Sequence, residues 1–246
     1  HPFYKTAVTF SINKSDIVTC VSQSLKEDTL KQFEISKEIE VIPNFIDINK
    51  YKIQQEKCLS ENLESNNEII IAHVSNFRPV KNIKNVILIF NNIQKKIPSK
   101  LYMIGEGPEK EMAESLCKEL SIENKVHFLG NSNQVEKNLC HSDLFLLPSS
   151  TESFGLAALE AMASKVAVVS SNAGGLPEVN IHGETGYLAD SNDIEAMSKH
   201  SISILRDRNR LEEFKKRAFK KAETFDINKV LPMYIKIYEK ALNWFK

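Results

Sequence analysis

Apolar and polar positions along this chain fall into blocks with two different periods. Short continuous apolar runs occur at 69–74 (Ile-Ile-Ile-Ala-His-Val), 101–104, 126–129, 143–147 and 166–170, with a shorter one at 187–188. Between them lie amphipathic stretches at helical spacing: 82–96, a segment ending near 120, roughly 133–141, and the residues after 154. Continuous apolar strands alternating with helices predict a parallel sheet covered on both faces. That is an α/β fold, a doubly wound Rossmann-like domain. Ligands of such sheets bind beyond the carboxyl ends of the strands, so the loops there are the first place to look for chemistry.

The pattern before residue 69 is different. Residues 3–13 predict a helix and 16–21 a short strand. Ser22 is placed to cap a helix running to about 33, and 38–42 is a β-branched strand closed by Pro43. Two strands are too few for a sheet of their own. Residues 1–48 therefore read as the tail of a preceding α/β domain, 49–68 as a polar connector with some helix, and 69–226 as the main domain. Residues 193–246 read as helical, with Pro232 expected to bend or restart the last helix, 227–246. The opening His1-Pro2-Phe3 lacks an initiator Met and leads directly into a helical pattern, which reads as a fragment of a longer protein.

Composition narrows the classes. Lys and Arg number 32 and Asp and Glu 32, so no global field points to nucleic acid or an acidic membrane surface. No apolar run approaches a membrane span. The four cysteines, Cys20, Cys58, Cys117 and Cys140, are scattered, with no C-x-x-C pair and no metal-ligand spacing. They argue against a disulfide framework and for a reducing cytoplasm.

The chemistry concentrates in one stretch, Pro148-Ser-Ser-Thr-Glu152-Ser-Phe154-Gly155-Leu156-Ala-Ala-Leu-Glu160-Ala-Met162. It reads as strand end, loop and helix start. Amides in a first helical turn lack intrahelical partners, and with the helix dipole they suit a diphosphate. Gly155 would let a ligand approach the backbone closely. Glu160 offers two oxygens to vicinal hydroxyls such as a ribose diol, and Glu152 could accept from sugar hydroxyls. Alone, Glu152 more simply favours the helix dipole and Glu160 is a solvated helix residue; the two around Phe-Gly make a nucleotide-sugar reading the better one.

This stretch resembles the signature of retaining GT-B glycosyltransferases, specifically glycosyltransferase family 4. The loops follow the same order: Ser75-Asn76-Phe77-Arg78-Pro79-Val80-Lys81, Gly105-Glu106-Gly107-Pro108-Glu109, Phe128-Leu129-Gly130, Gly174-Gly175-Leu176-Pro177-Glu178-Val179 and His182-Gly183-Glu184-Thr185-Gly186-Tyr187-Leu188. The resemblance implies that Glu152 holds the donor sugar and Glu160 the ribose. It places the backbone of Phe154, Gly155 and Leu156 at the sugar and phosphates, and Lys81 at the diphosphate. The Arg usual five residues before that lysine is Asn76 here, and Arg78 is the substitute cation. Together the two cations would stabilise a UDP leaving group in place of a metal. Ser75, Asn76, Gly130, Gly174 and Gly175 complete the expected donor site.

A UDP-sugar donor is thus implied, with a small-molecule acceptor, no cofactor, no metal, and a homo-oligomer left open. The strings H-V-S-N-F-R-P-V-K and I-P-N-F-I-D look like a subgroup that moves N-acetylglucosamine to L-malate on the way to bacillithiol. Acceptor residues in this architecture belong mostly to the N-terminal domain, so the chain is expected to carry the donor half. Its last helix is expected to cross back to that domain, leaving an apolar face. A family member acting on a glycan or lipid, a UDP-sugar 2-epimerase, and a donor-binding module without turnover stay open. Elsewhere, His73 and His127 read as core histidines, His182 as a turn residue, and Glu178 as structural. Residues 131–134 could line a base pocket or form a plain turn. One departure from the family stands out: Ser164-Lys165-Val166-Ala167 lacks the usual Gly and Pro, so a different backbone is expected there.

Overall fold

The computed structural model describes residues 2–61 and 68–243. Helix α1 (Pro2–Lys14), strand β1 (Val18–Cys20), helix α2 (Gln23–Gln32) and strand β2 (Ile39–Val41) come first, and β1 and β2 pair in parallel. The Ser22 hydroxyl accepts from Leu25 N, the cap that its position predicts. Helix α3 (Ile48–Glu61) occupies the stretch read as connector, of which residues 62–67 lie outside the described part.

The main sheet has six parallel strands: β3 (Ile69–Val74), β4 (Ser99–Ile104), β5 (Val126–Gly130), β6 (Leu144–Leu147), β7 (Ala167–Ser171) and β8 (Gly186–Ala189). Their order across the sheet is β5-β4-β3-β6-β7-β8. Counted from β3 this is 3-2-1-4-5-6, the order of a dinucleotide-type doubly wound domain. Between the strands run α4 (Ile83–Gln94), α5 (Lys110–Glu119), α6 (Val135–Leu139), α7 (Leu156–Ala163) and the short α8 (Leu176–Val179). Three helices, α9 (Ile194–Leu205), α10 (Arg208–Ala222) and α11 (Ile227–Asn243), close the chain.

Side-chain alternation divides the core in two. Along β6, Leu144 and Leu146 join Ile71, Leu101, Met103 and Val169 under α4, α5 and α9. Phe145 and Leu147 join Ala72 and Val168 under α7 on the other face. Each such fully buried Leu or Phe contributes roughly 1.5–3 kcal/mol. Helix α7 is buried nearly all round, and alanines 158, 161 and 163 meet Ala218 and Ala222 of α10 in that second core. Small residues on both helices keep α7 close to its neighbours.

Three expectations are revised. Cys58 and Cys140 form a disulfide across 82 residues, a pairing that linear spacing could not show. Helix α11 runs through Pro232 as one helix, so of the two outcomes expected there the restart does not occur. At Lys165, where the family's Gly is missing, the backbone still takes the left-handed conformation (φ 54°) that glycine favours. Val166 N bonds Ala161 O and Lys165 N bonds Met162 O, so the helix ends in a Schellman closure despite the lysine. Along α11, Leu231, Ile235, Tyr238 and Leu242 form an exposed apolar stripe.

Candidate donor site

Strand order reverses between β3 and β6, and the loops leaving their carboxyl ends meet there. They are laced together: Asn82 Nδ2 donates to Pro148 O at 2.8 Å and Ser150 N to Val80 O at 2.8 Å. A third loop, after β7, lies against them. Gly175 N donates to Glu152 O at 2.9 Å. A Cβ on Gly174 (φ +55°) would fall 1.8 Å from Glu152 O, and one on Gly175 2.5 Å from Ser153 O. Only glycine allows this approach. Of the two, Gly174 alone has positive φ.

Glu152 is held by this packing at the mouth of α7. Its carboxylate pairs with Lys81 Nζ and accepts from Ser149 Oγ at 3.2 Å. Both charged side chains are mostly sequestered, at 19% and 13% exposure for Lys81 and Glu152. Lys81 ends a 3-10 turn, Pro79–Lys81, that Arg78 begins. Arg78 and Asn76 are exposed at the rim of the same loop. Ser75 points back instead: its hydroxyl meets His73 Nε2 at 2.7 Å, while His73 Nδ1 meets Leu146 O at 2.8 Å. His73 is a satisfied core histidine, and burial lowers its pKa to about 4.

Gly155 (φ +97°) caps α7, and Leu159 N makes the first helical bond to its carbonyl at 3.1 Å. The amides before Leu159 therefore lack intrahelical partners at the mouth. A Cβ on Gly155 would meet Leu176 Cδ2 at 2.5 Å, a side-chain end that can shift, but at φ +97° any L side chain is strained, so the backbone itself calls for glycine. Phe154 is core, edge-on to Phe225 at 5.5 Å, whereas the Leu156 side chain is 42% exposed beside the amides.

Further along α7, Glu160 faces α3. The Tyr51 hydroxyl is its hydrogen-bond partner, and Glu136, itself paired with Lys50 at 3.1 Å, lies close by. Burial, and then the Glu136 charge, raise the Glu160 pKa against the opposing effects of Lys50 and Tyr51. Tyr51 is itself pushed well above the ordinary phenol range, first by burial and then by Glu160. Sequence reading passed over Tyr51 because its segment looked polar. Ile48, Tyr51 and Cys58, all buried, are the sparse helical stripe that marks it.

Gly130 (φ +69°) ends β5, and its carbonyl accepts from Gly105 N at 2.8 Å. It thereby joins the neighbouring strand-end loop rather than the mouth of α7. The turn after it is tied by Ser132 Oγ, which accepts from Gln134 N and Asn138 Nδ2. Glu178 is structural as expected, its carboxylate accepting from Gln23 N and Ser24 N at the start of α2. His182 binds Leu188 across its turn. Among the described residues, one group offers three potential metal ligands within 4.8 Å, Cys58, Cys140 and His141, at the contact of α3 and α6.

Residues 54–221 match the family model described as glycosyl transferases group 1, and residues 1–50 match that of glycosyltransferase family 4. The chain belongs to the group 1 glycosyl transferases, and its architecture is GT-B-like. It is 38% identical over 98% of its length to N-acetyl-alpha-D-glucosaminyl L-malate synthase of Bacillus anthracis, covering 64% of that protein. It is 26% identical to a Bacillus subtilis glycosyltransferase, YqgM, covering 66% of it. The chain thus spans about two thirds of the length of these relatives. In fold it matches sucrose-phosphate synthase from Thermosynechococcus elongatus, with a TM-score of 0.86, 20% identity and coverage of 99% of this chain and 62% of that one. It also matches Anabaena HepE, solved with UDP and glucose, with a TM-score of 0.84, 23% identity and coverage of 98% and 69%. Among the described residues no helix is long and apolar enough to cross a membrane.

Proposed function

We propose that the mouth of α7 binds a UDP-sugar, N-acetylglucosamine being the sugar, for retaining transfer to the hydroxyl of L-malate. The observation carrying this reading is the Lys81–Glu152 pair, held by three strand-end loops beside partnerless helix amides at the switch point. Such a pair can exchange partners when a donor arrives. The diphosphate takes Lys81 and the helix amides, the sugar hydroxyls take Glu152, and neither charge is left buried alone. Arg78 at the rim adds a second cation for the leaving group, and Glu160 receives the ribose diol. With two cations and a helix dipole on the leaving diphosphate, its departure is stabilised electrostatically. A donor phosphate oxygen then takes the proton of an acceptor hydroxyl attacking from the same face, which retains the anomeric configuration.

Identity of 38% with the malate synthase favours malate over a glycan or lipid acceptor. The reading places the work in the cytoplasm, in bacillithiol synthesis. Residues 69–226 would then be the donor domain, and residues 1–48 part of the acceptor domain. The exposed stripe on α11 fits a helix lying against that acceptor domain.

Calorimetry with UDP and UDP-N-acetylglucosamine tests the donor, and release of UDP with and without L-malate tests the acceptor. Saturable binding of both ligands and malate-dependent release are expected. Absence of UDP binding at millimolar concentration overturns the site. Release stimulated by a glycan or lipid acceptor but not by malate overturns the acceptor.

A further inference from the structure

The Cys58–Cys140 bond joins the two elements that flank Glu160, and nothing in sugar transfer requires it. Cys58 is buried on α3, while Cys140, just past α6, is part-exposed. Their Cα atoms are 6.3 Å apart, inside the range a disulfide needs. Three features make the pair reactive rather than inert. A His141 ring nitrogen lies within 4.8 Å of both sulfurs, a polar neighbour of the bond. Gln54 Nε2 donates to Cys58 Sγ at 3.3 Å and lies 3.9 Å from Cys140 Sγ. Alongside the two helices runs an open groove of about 440 Å³ whose charged lining is Lys50, Lys57, Lys137 and the single carboxylate Glu136.

We propose that Cys140, beside this groove through Gln54, is a thiol-exchange site for anionic low-molecular-weight thiols and their disulfides, coupled through α3 to the nucleotide site. The thiolate of a small thiol attacks the part-exposed Cys140 Sγ. The protein S–S bond breaks, and its electron pair and a proton go to Cys58. A second small thiol then attacks the mixed disulfide, leaving two protein thiols and one small disulfide. Oxidation is the reverse, with the small disulfide as oxidant. Lysines in the groove raise the local concentration of an anionic reagent.

The coupling follows from one helix face. Tyr51 and Cys58 are seven residues apart, two turns or about 10 Å along α3. Tyr51 partners Glu160, and Gln55 between them donates to Ser164 O at the end of α7. When the disulfide is closed, α3 is clasped to α6 and Tyr51 is held on Glu160. When it is open, that face is freer, and the carboxylate meant for the ribose loses its fixed partner. This coupling rests on the donor-site reading above, whereas the exchange chemistry does not.

The test uses the full chain in oxidised and reduced form. Under denaturing conditions the oxidised protein should show two reactive thiols, Cys20 and Cys117, and the reduced protein all four. Glutathione disulfide, which is anionic, should close the pair about tenfold faster than the cation cystamine. Lys137→Glu should shrink that preference. Opening the pair should weaken UDP about fivefold, at the low end of coupling between sites. Cys58→Ser should hold the open-state affinity and ignore redox state. Four thiols after oxidation, equal rates with the two reagents, one zinc retained per reduced chain, or equal UDP affinity in both states would each overturn the proposal. Failure of UDP to bind in either state, with exchange intact, instead overturns the donor-site reading on which the coupling stands.

Discussion

The two glutamates of the motif lie eight residues apart in sequence, yet their surroundings are opposed. Glu152 sits before α7 with a lysine on its carboxylate and a serine hydroxyl beside it. Glu160 sits in the helix with a tyrosine for a partner and another carboxylate nearby, and burial raises its pKa. One carboxylate has a cation directly on it. The other is a charge kept uneasy, with a neutral donor in place of a cation. The first arrangement suits a ligand that supplies both an anion and hydroxyls, because both members of the pair find new partners. The second suits a ligand that supplies hydroxyls alone, because a diol satisfies the oxygens without needing to displace a cation.

Removing the cation is the strongest way to break this comparison. On the donor-site reading, Lys81→Ala strips the diphosphate of its main charge, and it leaves Glu152 sequestered without a counter-ion. Turnover should fall by about 10²–10³, the loss typical when one stabilising group at a developing charge is removed. Steady-state release of UDP measures it. A fall below tenfold, with UDP affinity unchanged, would show the pair to be a structural ion pair and nothing more.

The alternation of parallel strands with helices and the motif were legible in the sequence, because buried parallel strands write continuous apolar runs and a helix start needs Gly155, whereas the order of the strands across the sheet was not. The closeness of Lys81 and Glu152 was legible only through resemblance. It depends on β6 lying beside β3, which no local pattern states. Tyr51, Gln55 and Cys58 escaped because α3 buries a thin stripe and exposes the rest, so it looks like a linker. The pairing of Cys58 with Cys140 escaped for the reason that β3–β6 did: it is a contact made by topology. Lys165 misled in the other direction. A missing glycine predicted a different turn, but the helix closure tolerates a lysine in the left-handed region.

Exchanging each glutamate for its amide sharpens the contrast. Glu152→Gln should weaken UDP-N-acetylglucosamine by about tenfold or more and leave UDP within about twofold, since only the intact donor carries the sugar it holds. Glu160→Gln should weaken both ligands alike, by about tenfold, because both contain the ribose. Calorimetry with the two ligands reads the difference directly. Equal losses of both ligands in both variants would erase the division of labour.

Acid should separate the glutamates without mutation. The pKa of Glu160 is raised, so as pH falls it protonates before an ordinary carboxylate and stops accepting from a diol. UDP affinity should therefore decline on mild acidification, whereas Glu160→Gln should show a flatter profile. The fold sets the acid limit of the measurement. His73 is neutral in the core with a pKa of about 4 against an ordinary 6.5, so the unfolded chain binds the extra proton. Stability is intact above pH 6.5, falls by about 3 kcal/mol in all as pH drops from 6.5 to about 4, and levels off below that, where both states carry the proton. Circular dichroism alongside each titration keeps loss of affinity apart from loss of structure.

The smallest expected effect tests whether the helix itself, apart from its charges, matters to the comparison. Lys165 holds φ 54° at the end of α7, with its ammonium 5.4 Å above the Phe219 ring. Glycine there removes the steric cost of the left-handed backbone, about 1 kcal/mol, and loses a cation–π contact worth about 0.5–1 kcal/mol at an exposed site. Glycine also gives the unfolded chain more freedom, which subtracts from the gain. Lys165→Gly should accordingly change stability by less than about 1 kcal/mol in urea unfolding, since these three effects oppose one another. UDP affinity should not move, because Glu152 and the partnerless amides lie at the other end of α7 and the Glu160 carboxylate is held by Tyr51 of α3 rather than by this turn. A change in affinity would mean that the carboxyl end of the helix reaches Glu160 through Ser164 and Gln55, and that the two glutamates are less independent than their surroundings imply.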